Sequence, residues 1–260
     1  MTDIPVDMKE KIVLKIGSST LTAGRKNLSY GKIEDIARQI LALKEKYDVI
    51  LVSSGAIATA RQFVEIGGYM KEVDSKQAMA AIGQPKLMRF YDEIFGSFGL
   101  RVAQCLMTYR DFEDESAKQN TRNTLNKLLE HGYIPIINEN DTVSVEEIML
   151  GDNDKLSALV TVIMDADLLV LASDMNGLHT GNPHLDDAVE LIEEVRDLEE
   201  VMQFVQERDS EHGTGGMTSK IEAAKICAAK NTEMWIVNGG KDNFLVEALS
   251  GALPCTKFKF

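Results

Sequence analysis

The amino-acid sequence predicts an α/β fold, a three-layer αβα sandwich around a mainly parallel central sheet. Short apolar runs alternate with longer segments whose apolar residues recur at helical spacing, the pattern of successive βαβ units. The run at 49–52 is apolar throughout, as expected for a strand buried on both faces. The 260 residues show no internal repeat or linker. The simplest division is therefore one domain over 1–260, with a flexible N-terminal segment at 1–10.

Composition and charge exclude several classes of protein. The net charge of −13 argues against a nucleic-acid surface, which would carry a basic face. No apolar stretch approaches the roughly 20 residues of a membrane span, and the polar N-terminus does not resemble a signal peptide. Three cysteines without a pattern suit a reducing compartment, and four histidines without ligand spacing predict no protein-bound metal. These observations predict a cytoplasmic protein that binds neither nucleic acid nor membrane.

The first strand, at 11–16, contains a single charge, Lys15, and leads into Gly17-Ser18-Ser19-Thr20. An isolated buried ammonium is costly, so this lysine needs a partner or a ligand. An amphipathic helix follows over 33–43. The apolar strand at 49–52 then ends at Ser53-Ser54-Gly55 and runs straight into a helix, an arrangement that favours anion binding.

The middle of the chain alternates in the same way. A helix is expected over 75–98, with Gly83-Gln84-Pro85 kinking or dividing it. A third strand follows at 100–107. An acidic loop at 111–115 is expected to be a solvated surface. The next helix should end at His131-Gly132, with the glycine as its C-cap.

Two polar clusters lie close together after the next strand, which covers 133–137. The first is Asn138-Glu139-Asn140-Asp141, and a weakly alternating segment at 143–150 could form a small hairpin. The second, at 151–155, opens a helix for which Asp152, Asn153 or Asp154 is the candidate N-cap. Parallel sheets bind ligands at the carboxyl ends of their strands, so the clusters predict a site there.

The C-terminal part continues with a strand at 167–172 that ends at Ser173-Asp174. A loop over 176–187 and an acidic helix over 189–205 are expected next. A glycine-rich loop at 208–219 precedes Lys220 and a further helix. Strands are predicted at 234–237 and 256–260, with a last helix between them.

The strand ends together form a rim of small and polar residues with two lysines, Lys15 and Lys220. The segment 213–220 has the composition of a phosphate loop, but Lys220 is followed by Ile221 rather than by Ser or Thr, so it lacks the P-loop order. Dinucleotide-binding, protein-kinase and serine-hydrolase signatures are absent. Two lysines, backbone donors and aspartates are the set that phosphoryl transfer needs.

Five ordered motifs then identify a resemblance to the amino acid kinase family, which includes carbamate kinase, aspartokinase and N-acetylglutamate kinase. Within the family, the chain is most similar to the members that phosphorylate glutamate. The resemblance extends over about 11–260. The chain ends where many bacterial members continue into a PUA domain, so it resembles a short form. The motifs are Val13-Leu14-Lys15-Ile16-Gly17-Ser18-Ser19, Ser53-Ser54-Gly55-Ala56-Ile57, Ile137-Asn138-Glu139-Asn140-Asp141, Gly151-Asp152-Asn153-Asp154 and Gly213-Thr214-Gly215-Gly216-Met217-Thr218-Ser219-Lys220.

This resemblance implies the amino acid kinase fold and a role for each motif. Lys15 and Lys220 would contact the ATP phosphates, and Asp154 would hold the two lysines. The residues implied for the substrate amino acid are Ser54, Asp141 and Asn153. Those implied for the nucleotide are Lys15, Ser173, Asp174, Thr214, Gly215, Gly216, Met217, Thr218, Ser219 and Lys220.

The resemblance also implies the reaction and its partners. The expected activity is transfer of the γ-phosphoryl group of ATP to the 5-carboxylate of L-glutamate, the first step of proline biosynthesis, with Mg²⁺ bridging the ATP phosphates. Proline would act as a feedback inhibitor. The chain would form a dimer or tetramer and could hand its product to glutamyl-phosphate reductase.

Alternatives stay open at this point. Without the resemblance, Lys15 could be an edge lysine that extends to solvent, and Lys220 a solvated residue at a helix start. A sister kinase acting on N-acetylglutamate, aspartate or a nucleoside monophosphate is the nearest rival. A catalytically silent ligand-binding protein of the same fold is the rival from another class.

Overall fold

The computed structural model describes residues 9–64, 73–144, 153–181, 189–202 and 216–260. The strands are β1 (Glu10–Ile16), β2 (Tyr47–Ser53), β3 (Arg101–Met107), β4 (Tyr133–Glu139), β5 (Leu168–Ser173), β6 (Glu194–Val195), β7 (Glu233–Asn238) and β8 (Thr256–Phe258). The helices are α1 (Ser18–Thr22), α2 (Tyr30–Leu43), α3 (Ala56–Ala60), α4 (Val73–Ser97), α5 (Glu115–Glu130), α6 (Asp154–Ile163), α7 (Gly216–Ala228) and α8 (Phe244–Ser250).

The eight strands form one sheet in the order β3-β4-β2-β1-β5-β7-β8-β6. All neighbouring strands pair in parallel except β7 and β8, which pair antiparallel. The chain crosses from one side of β1 to the other between β4 and β5. The carboxyl ends of β1 and β5 therefore lie at a topological switch point, the place where open α/β sheets bind ligands.

Alternation along β1 assigns its side chains to two cores. Ile12, Leu14 and Ile16 are buried in the core that includes apolar residues of α2, α4 and α8. Val13 is buried in the core that includes apolar residues of α5, α6 and α7. Helices thus cover both faces of a mainly parallel sheet, which confirms the predicted three-layer fold class. Because side chains alternate in a strand, Lys15 lies on the Val13 face, beneath α6 and α7.

Of the two alternatives predicted for Gly83-Gln84-Pro85, division of the helix was wrong, since α4 runs unbroken through these residues. The kink stays a prediction. Proline removes one backbone hydrogen bond and crowds the carbonyl four residues earlier, and the tertiary packing of α4 overrides this local cost. Gly83 was expected to help kink or divide the helix, but the structure shows that it allows close packing between two helices. A Cβ atom there would overlap the carbonyl oxygen of Ala56, so the glycine allows α3 to approach α4 closely.

Two further segments differ from expectation. Part of the predicted acidic loop at 111–115 is a 3₁₀ helix, Tyr109–Phe112, and Asp114 caps α5 by accepting a hydrogen bond from the Ala117 N–H. Within 189–202, which were predicted to be helical, Glu194 and Val195 form β6 and only 198–202 are helical. Pairing with β8 explains why β6 forms at the edge of the sheet, and the sequence pattern could not reveal this tertiary partner.

Other expectations fall outside the described residues. These are residues 1–8 of the flexible segment predicted at 1–10, residues 145–150 of the hairpin predicted over 143–150, and parts of the loops at 182–187 and 208–215. The predicted glycine cap of α5 is shifted by one residue: His131 is the C-cap, and Gly132 follows with φ of +69°. Among the described residues, no helix has the length and apolar character of a membrane span.

Candidate active site

One buried carboxylate joins the two lysines that the sequence singled out. Asp154 Oδ1 lies 2.6 Å from Lys15 Nζ, and Asp154 Oδ2 lies 2.9 Å from Lys220 Nζ. Asp154 is fully buried, and both lysines are more than 90% buried. The expectation that Lys15 needs a partner is therefore confirmed. Buried charges of this kind persist only when they are paired and hydrogen-bonded.

The fold explains why these three side chains meet. Lys15 is the penultimate residue of the central strand and lies on the face that α6 and α7 cover. Asp154 is the first residue of α6, and Lys220 lies in the second turn of α7. Ser219 Oγ also donates to Asp154 Oδ2, at 3.2 Å. The carboxylate is thereby fixed between two helix starts and one strand end.

The prediction that Gly216, Met217, Thr218 and Ser219 belong to a loop was wrong, because they form the first turn of α7. Lys220 Nζ donates to the carbonyl oxygen of Gly216, at 3.0 Å, which supports that turn. The glycine-rich composition concealed the helix start. The N-terminal end of a helix attracts anions, so this turn suits a phosphate. Thr214 and Gly215 lie outside the described residues.

A polar cleft of about 220 Å³ opens beside the two lysines. It lies at the carboxyl ends of β1, β2 and β5, the edge of the sheet where a site was predicted, although its lining includes no described residue of the clusters at 138–141 and 151–155. Ser173 Oγ donates to Asp174 Oδ1 at its edge, at 3.2 Å. The cleft is lined by Lys15, Gly17, Ser18, Ser19, Ser54, Ala172, Ser173, Asp174 and Lys220.

A second group of polar side chains continues from the lysine cluster through Asn153, the residue before Asp154. Asn153 Nδ2 donates to Ser54 Oγ at 3.1 Å and to Asn138 Oδ1 at 2.8 Å. Asn153 Oδ1 is buried and accepts no hydrogen bond from the described part of the chain. An unsatisfied buried acceptor is costly, so this oxygen is suited to a donor on a ligand. The structure thus brings Ser54 and Asn153 together, as expected.

Asp141 is buried just after the end of β4. No hydrogen bond among the described residues links it to Ser54 or Asn153, although Asn138, three positions earlier, contacts Asn153 directly. Burial, together with the nearby carboxylate of Glu139, raises the pKa of the Asp141 carboxyl to about 6. A carboxyl in this environment gains from a cationic ligand, which would stabilise its charged form.

Asn138 and Gln84 are parts of the site for which the sequence suggested no role. Asn138 belongs to a polar cluster that was recognised, but nothing distinguished its side chain from its neighbours. Gln84 lies on α4; its Oε1 accepts from the buried Asn138 Nδ2 at 2.9 Å, and its Nε2 donates to Oε1 of the exposed Gln104 at 3.5 Å. The only available signal was a polar residue on the buried side of a helix.

Comparison with known proteins connects this geometry to a family. The model of the amino acid kinase family matches residues 10–238. A glutamate 5-kinase of Alkaliphilus metalliredigens is 41% identical over 258 residues, which cover 98% of this chain and 97% of that protein. A glutamate 5-kinase of Dehalococcoides mccartyi is 41% identical over 254 residues, which cover 96% of this chain and 68% of that protein.

A solved structure has a similar architecture at low sequence identity. The carbamate kinase of Giardia lamblia, determined with bound AMP-PNP, aligns with a TM-score of 0.66 and 16% identity. The alignment covers 96% of this chain and 98% of that protein. At this level of identity the comparison establishes a shared fold, and the chemistry has to be argued from the site.

Proposed function

The chain belongs to the amino acid kinase family, and on that basis we propose that it transfers the γ-phosphoryl group of ATP to the 5-carboxylate of L-glutamate. The products are ADP and L-glutamyl 5-phosphate, and the reaction opens proline biosynthesis. The observation that carries the proposal is the Asp154 carboxylate held between Lys15 and Lys220 at the wall of a polar cleft. The names of the two relatives, which are matched over 97% and 68% of their lengths, support glutamate as the acceptor.

The two lysines would stabilise the moving phosphoryl group. Negative charge spreads over its equatorial oxygens as it passes from the nucleotide to the acceptor. Two ammonium groups fixed by one carboxylate present a net positive charge to these oxygens without reorganising at the moment of reaction. Asp154 is a positioning residue in this scheme, because it would not contact the phosphoryl group itself. Its role is to hold both ammonium groups in place.

The polar side chains of Asn153, Asp141 and Ser54 would bind the acceptor amino acid. Asn153 Oδ1 is an acceptor without a partner among the described residues, and Asp141 is a buried carboxyl with a raised pKa. Both suit a free α-ammonium, which can only donate hydrogen bonds. Ser54 Oγ, which lines the same cleft as the lysines, can donate to a substrate carboxylate. Holding the amino acid by its α-groups leaves the 5-carboxylate directed at the lysines.

The nucleotide would occupy the cleft next to the first turn of α7. Ser173 and Asp174 at the end of β5 would contact it, and 214–220 would lie against its phosphates. The lining includes one carboxylate among the described residues, Asp174, together with the hydroxyl groups of Ser18 and Ser19. This oxygen-rich set fits a magnesium ion that is held mainly by the phosphates. Such an ion would neutralise part of the charge on the β- and γ-phosphates.

The nearest alternative is a sister activity on N-acetylglutamate or aspartate. Acetylation removes the ammonium charge and would leave Asp141 and Asn153 Oδ1 without a donor, which is costly in a buried site. Aspartate is one methylene shorter, so its carboxylate would fall short of the γ-phosphate. The Lys15–Asp154–Lys220 group argues against a catalytically silent protein. A nucleoside monophosphate has no α-ammonium to pair with Asp141 and Asn153 Oδ1.

Hydroxamate trapping of the acyl phosphate, with each acid in turn, tests the assignment. L-Glutamate should give the largest specificity constant, and N-acetyl-L-glutamate and L-aspartate should be poor substrates. A larger constant for N-acetylglutamate would transfer the protein to the sister activity and withdraw the role of Asp141. Absence of acyl phosphate with every acid, in a folded preparation, would favour the silent ligand-binding protein.

The partners expected from the sequence stay part of the proposal. Proline carries the α-carboxylate and amine of glutamate, so it should compete for the same site and raise the apparent KM for glutamate.

We propose that one sheet spanning β1 to β8 makes 1–260 a single functional unit. Assembly into a dimer or tetramer, handover to glutamyl-phosphate reductase and a cytoplasmic location also stay predictions.

A further inference from the structure

We propose that Gln84 of α4 is a positioning residue that sets the orientation of the Asn153 amide and so makes the site selective for a free ammonium. The inference rests on the proposed amino-acid site and adds a residue outside the cleft lining. It starts from one unexplained feature, the buried Asn153 Oδ1 without a partner among the described residues. An amide can present either its oxygen or its nitrogen to a ligand, so something must fix which one.

Gln84, Asn138 and Asn153 form a series of hydrogen-bonded amides, in which each side chain fixes the orientation of the next. Gln84 Oε1 accepts from Asn138 Nδ2 at 2.9 Å. Asn138 therefore directs its oxygen to the opposite side, where it accepts from Asn153 Nδ2 at 2.8 Å and from the Glu139 N–H at 3.0 Å. The nitrogen of the Asn153 amide therefore donates its hydrogen bonds to Asn138 and Ser54. Its oxygen is left as an acceptor for the ligand.

Rotating any amide in this series would break hydrogen bonds at both of its ends. If Asn138 turned over, its NH₂ group would face the Glu139 N–H and the Asn153 NH₂ group, and its oxygen would face Gln84 Oε1. All three contacts would be unfavourable in a buried environment. Two groups fix the orientation of the Asn138 amide: Gln84 Oε1 accepts from its nitrogen, and the Glu139 N–H donates to its oxygen. Both are needed for a single arrangement to dominate.

Removal of the Gln84 acceptor would leave Asn138 Nδ2 as a buried donor without a partner. Arrangements in which Asn138 rotates would then cost less relative to the native one, and Asn153 could present its NH₂ group to the ligand. An ammonium ion has no acceptor lone pair, so it cannot bind an NH₂ group. A hydroxyl group can both donate and accept, so it should tolerate the change. Selectivity between the two groups therefore reports the orientation of Asn153.

The test compares L-glutamate with L-2-hydroxyglutarate, which has a hydroxyl group where glutamate has its ammonium. The measured quantity is the inhibition constant of hydroxyglutarate divided by the KM for glutamate. In Gln84→Met this ratio should fall about 10-fold, the scale of weakening a hydrogen bond to a charged group. The KM for ATP should stay unchanged. Gln84→Glu keeps an acceptor oxygen facing Asn138 and should restore the ratio to within about 3-fold of the original.

Gln39→Met is the matched control. Gln39 is also a buried glutamine whose amide both donates and accepts, to Asp35 and from the Leu245 N–H, but it lies on α2 away from the amide series. This variant should lower the unfolding temperature without changing the selectivity ratio. If Gln84→Met does not fold, Gln104→Met replaces it, because Gln104 accepts from Gln84 Nε2 and steadies that side chain. Its ratio should fall in the same direction.

An unchanged ratio in Gln84→Met, or in its replacement, would overturn the inference. An equal loss of affinity for glutamate and hydroxyglutarate is one form of that result, and it would indicate general structural damage. The proposed function fails separately. If the unsubstituted protein forms no acyl phosphate from glutamate, the function is wrong, whereas an active protein with an insensitive ratio rejects only the role of Gln84.

Discussion

Replacing Asp154 with asparagine removes the one negative charge that lies between the two lysines. The native carboxylate places an oxygen 2.6 Å from Lys15 Nζ and another 2.9 Å from Lys220 Nζ, with no exposure to solvent. Asparagine has nearly the same shape but no charge and only one oxygen. One ammonium group would face an NH₂ group, and the two cations would repel each other without a counter-charge.

The distances set the magnitude of this change. At an effective dielectric of about 20, each of the two contacts represents an attraction of about 6 kcal/mol. Desolvation of the buried charges offsets much of this, and breaking a buried pair costs a net 3–5 kcal/mol, about a third or more of a typical folding free energy. Displaced ammonium groups stabilise the transition state poorly. Turnover should therefore fall by about 10²–10³-fold, the scale of losing a preorganised donor.

The assay is ADP release at saturating ATP and glutamate, with thermal unfolding measured on the same preparation. Asp35→Asn is the control, because Asp35 is a buried carboxylate 3.4 Å from Lys32 Nζ in a pair outside the cleft. It should lose stability while keeping turnover within about 3-fold, since charge stabilisation at the reacting group is intact. Turnover of folded Asp154→Asn within the same range would refute the reasoning, because the lysines would then not need the carboxylate.

Three other predictions follow from the site and its packing. Lys15→Ala and Lys220→Ala should each lower turnover by about 10²-fold or more with folding retained, and near-normal turnover would reject the role of that lysine. Because the pKa of Asp141 is raised to about 6, its carboxyl loses charge below that pH. The KM for glutamate should then rise as pH falls through 6, a dependence that Asp141→Asn should abolish. Gly83→Ala should lower the unfolding temperature, because the added methyl group would overlap the Ala56 carbonyl oxygen and displace α3; an unchanged temperature would contradict this packing.

Most of the fold could be predicted from the pattern of apolar strands in the sequence. Fully apolar runs locate strands buried on both faces, and the polar residues that follow them locate the ligand edge of a parallel sheet. Lys15 was identifiable for the same reason, since a charge inside an apolar strand requires a partner. The local pattern did not select its partner, since Asp152, Asn153 and Asp154 were all candidates for the helix N-cap, and only the family resemblance implied that Asp154 holds the lysines. In the structure Asn153 is the N-cap of α6, and Asp154, the first residue of that helix, contacts Lys15.

The errors arose where tertiary contacts override local preference. Pro85 was expected to kink or divide a helix, but α4 is not divided there. Glu194 and Val195 have no strand pattern of their own and form β6 only because β8 lies beside them. The orientation of the Asn153 amide depends on three hydrogen-bonded side chains from different elements, and no local pattern encodes that arrangement.

The most direct test of the central claim is to follow the oxygen atoms of the acceptor. Glutamate labelled with oxygen-18 in its 5-carboxylate is incubated with the protein, ATP, magnesium and hydroxylamine, and the released phosphate is analysed by mass spectrometry. If the carboxylate attacks the γ-phosphorus atom, hydroxylamine then attacks the acyl carbon and releases phosphate that retains one oxygen-18 atom. The account predicts that each phosphate carries one label and that hydroxamate forms in equal amount. Phosphate without label would show that water, and not the 5-carboxylate of glutamate, accepts the phosphoryl group, and would contradict the account.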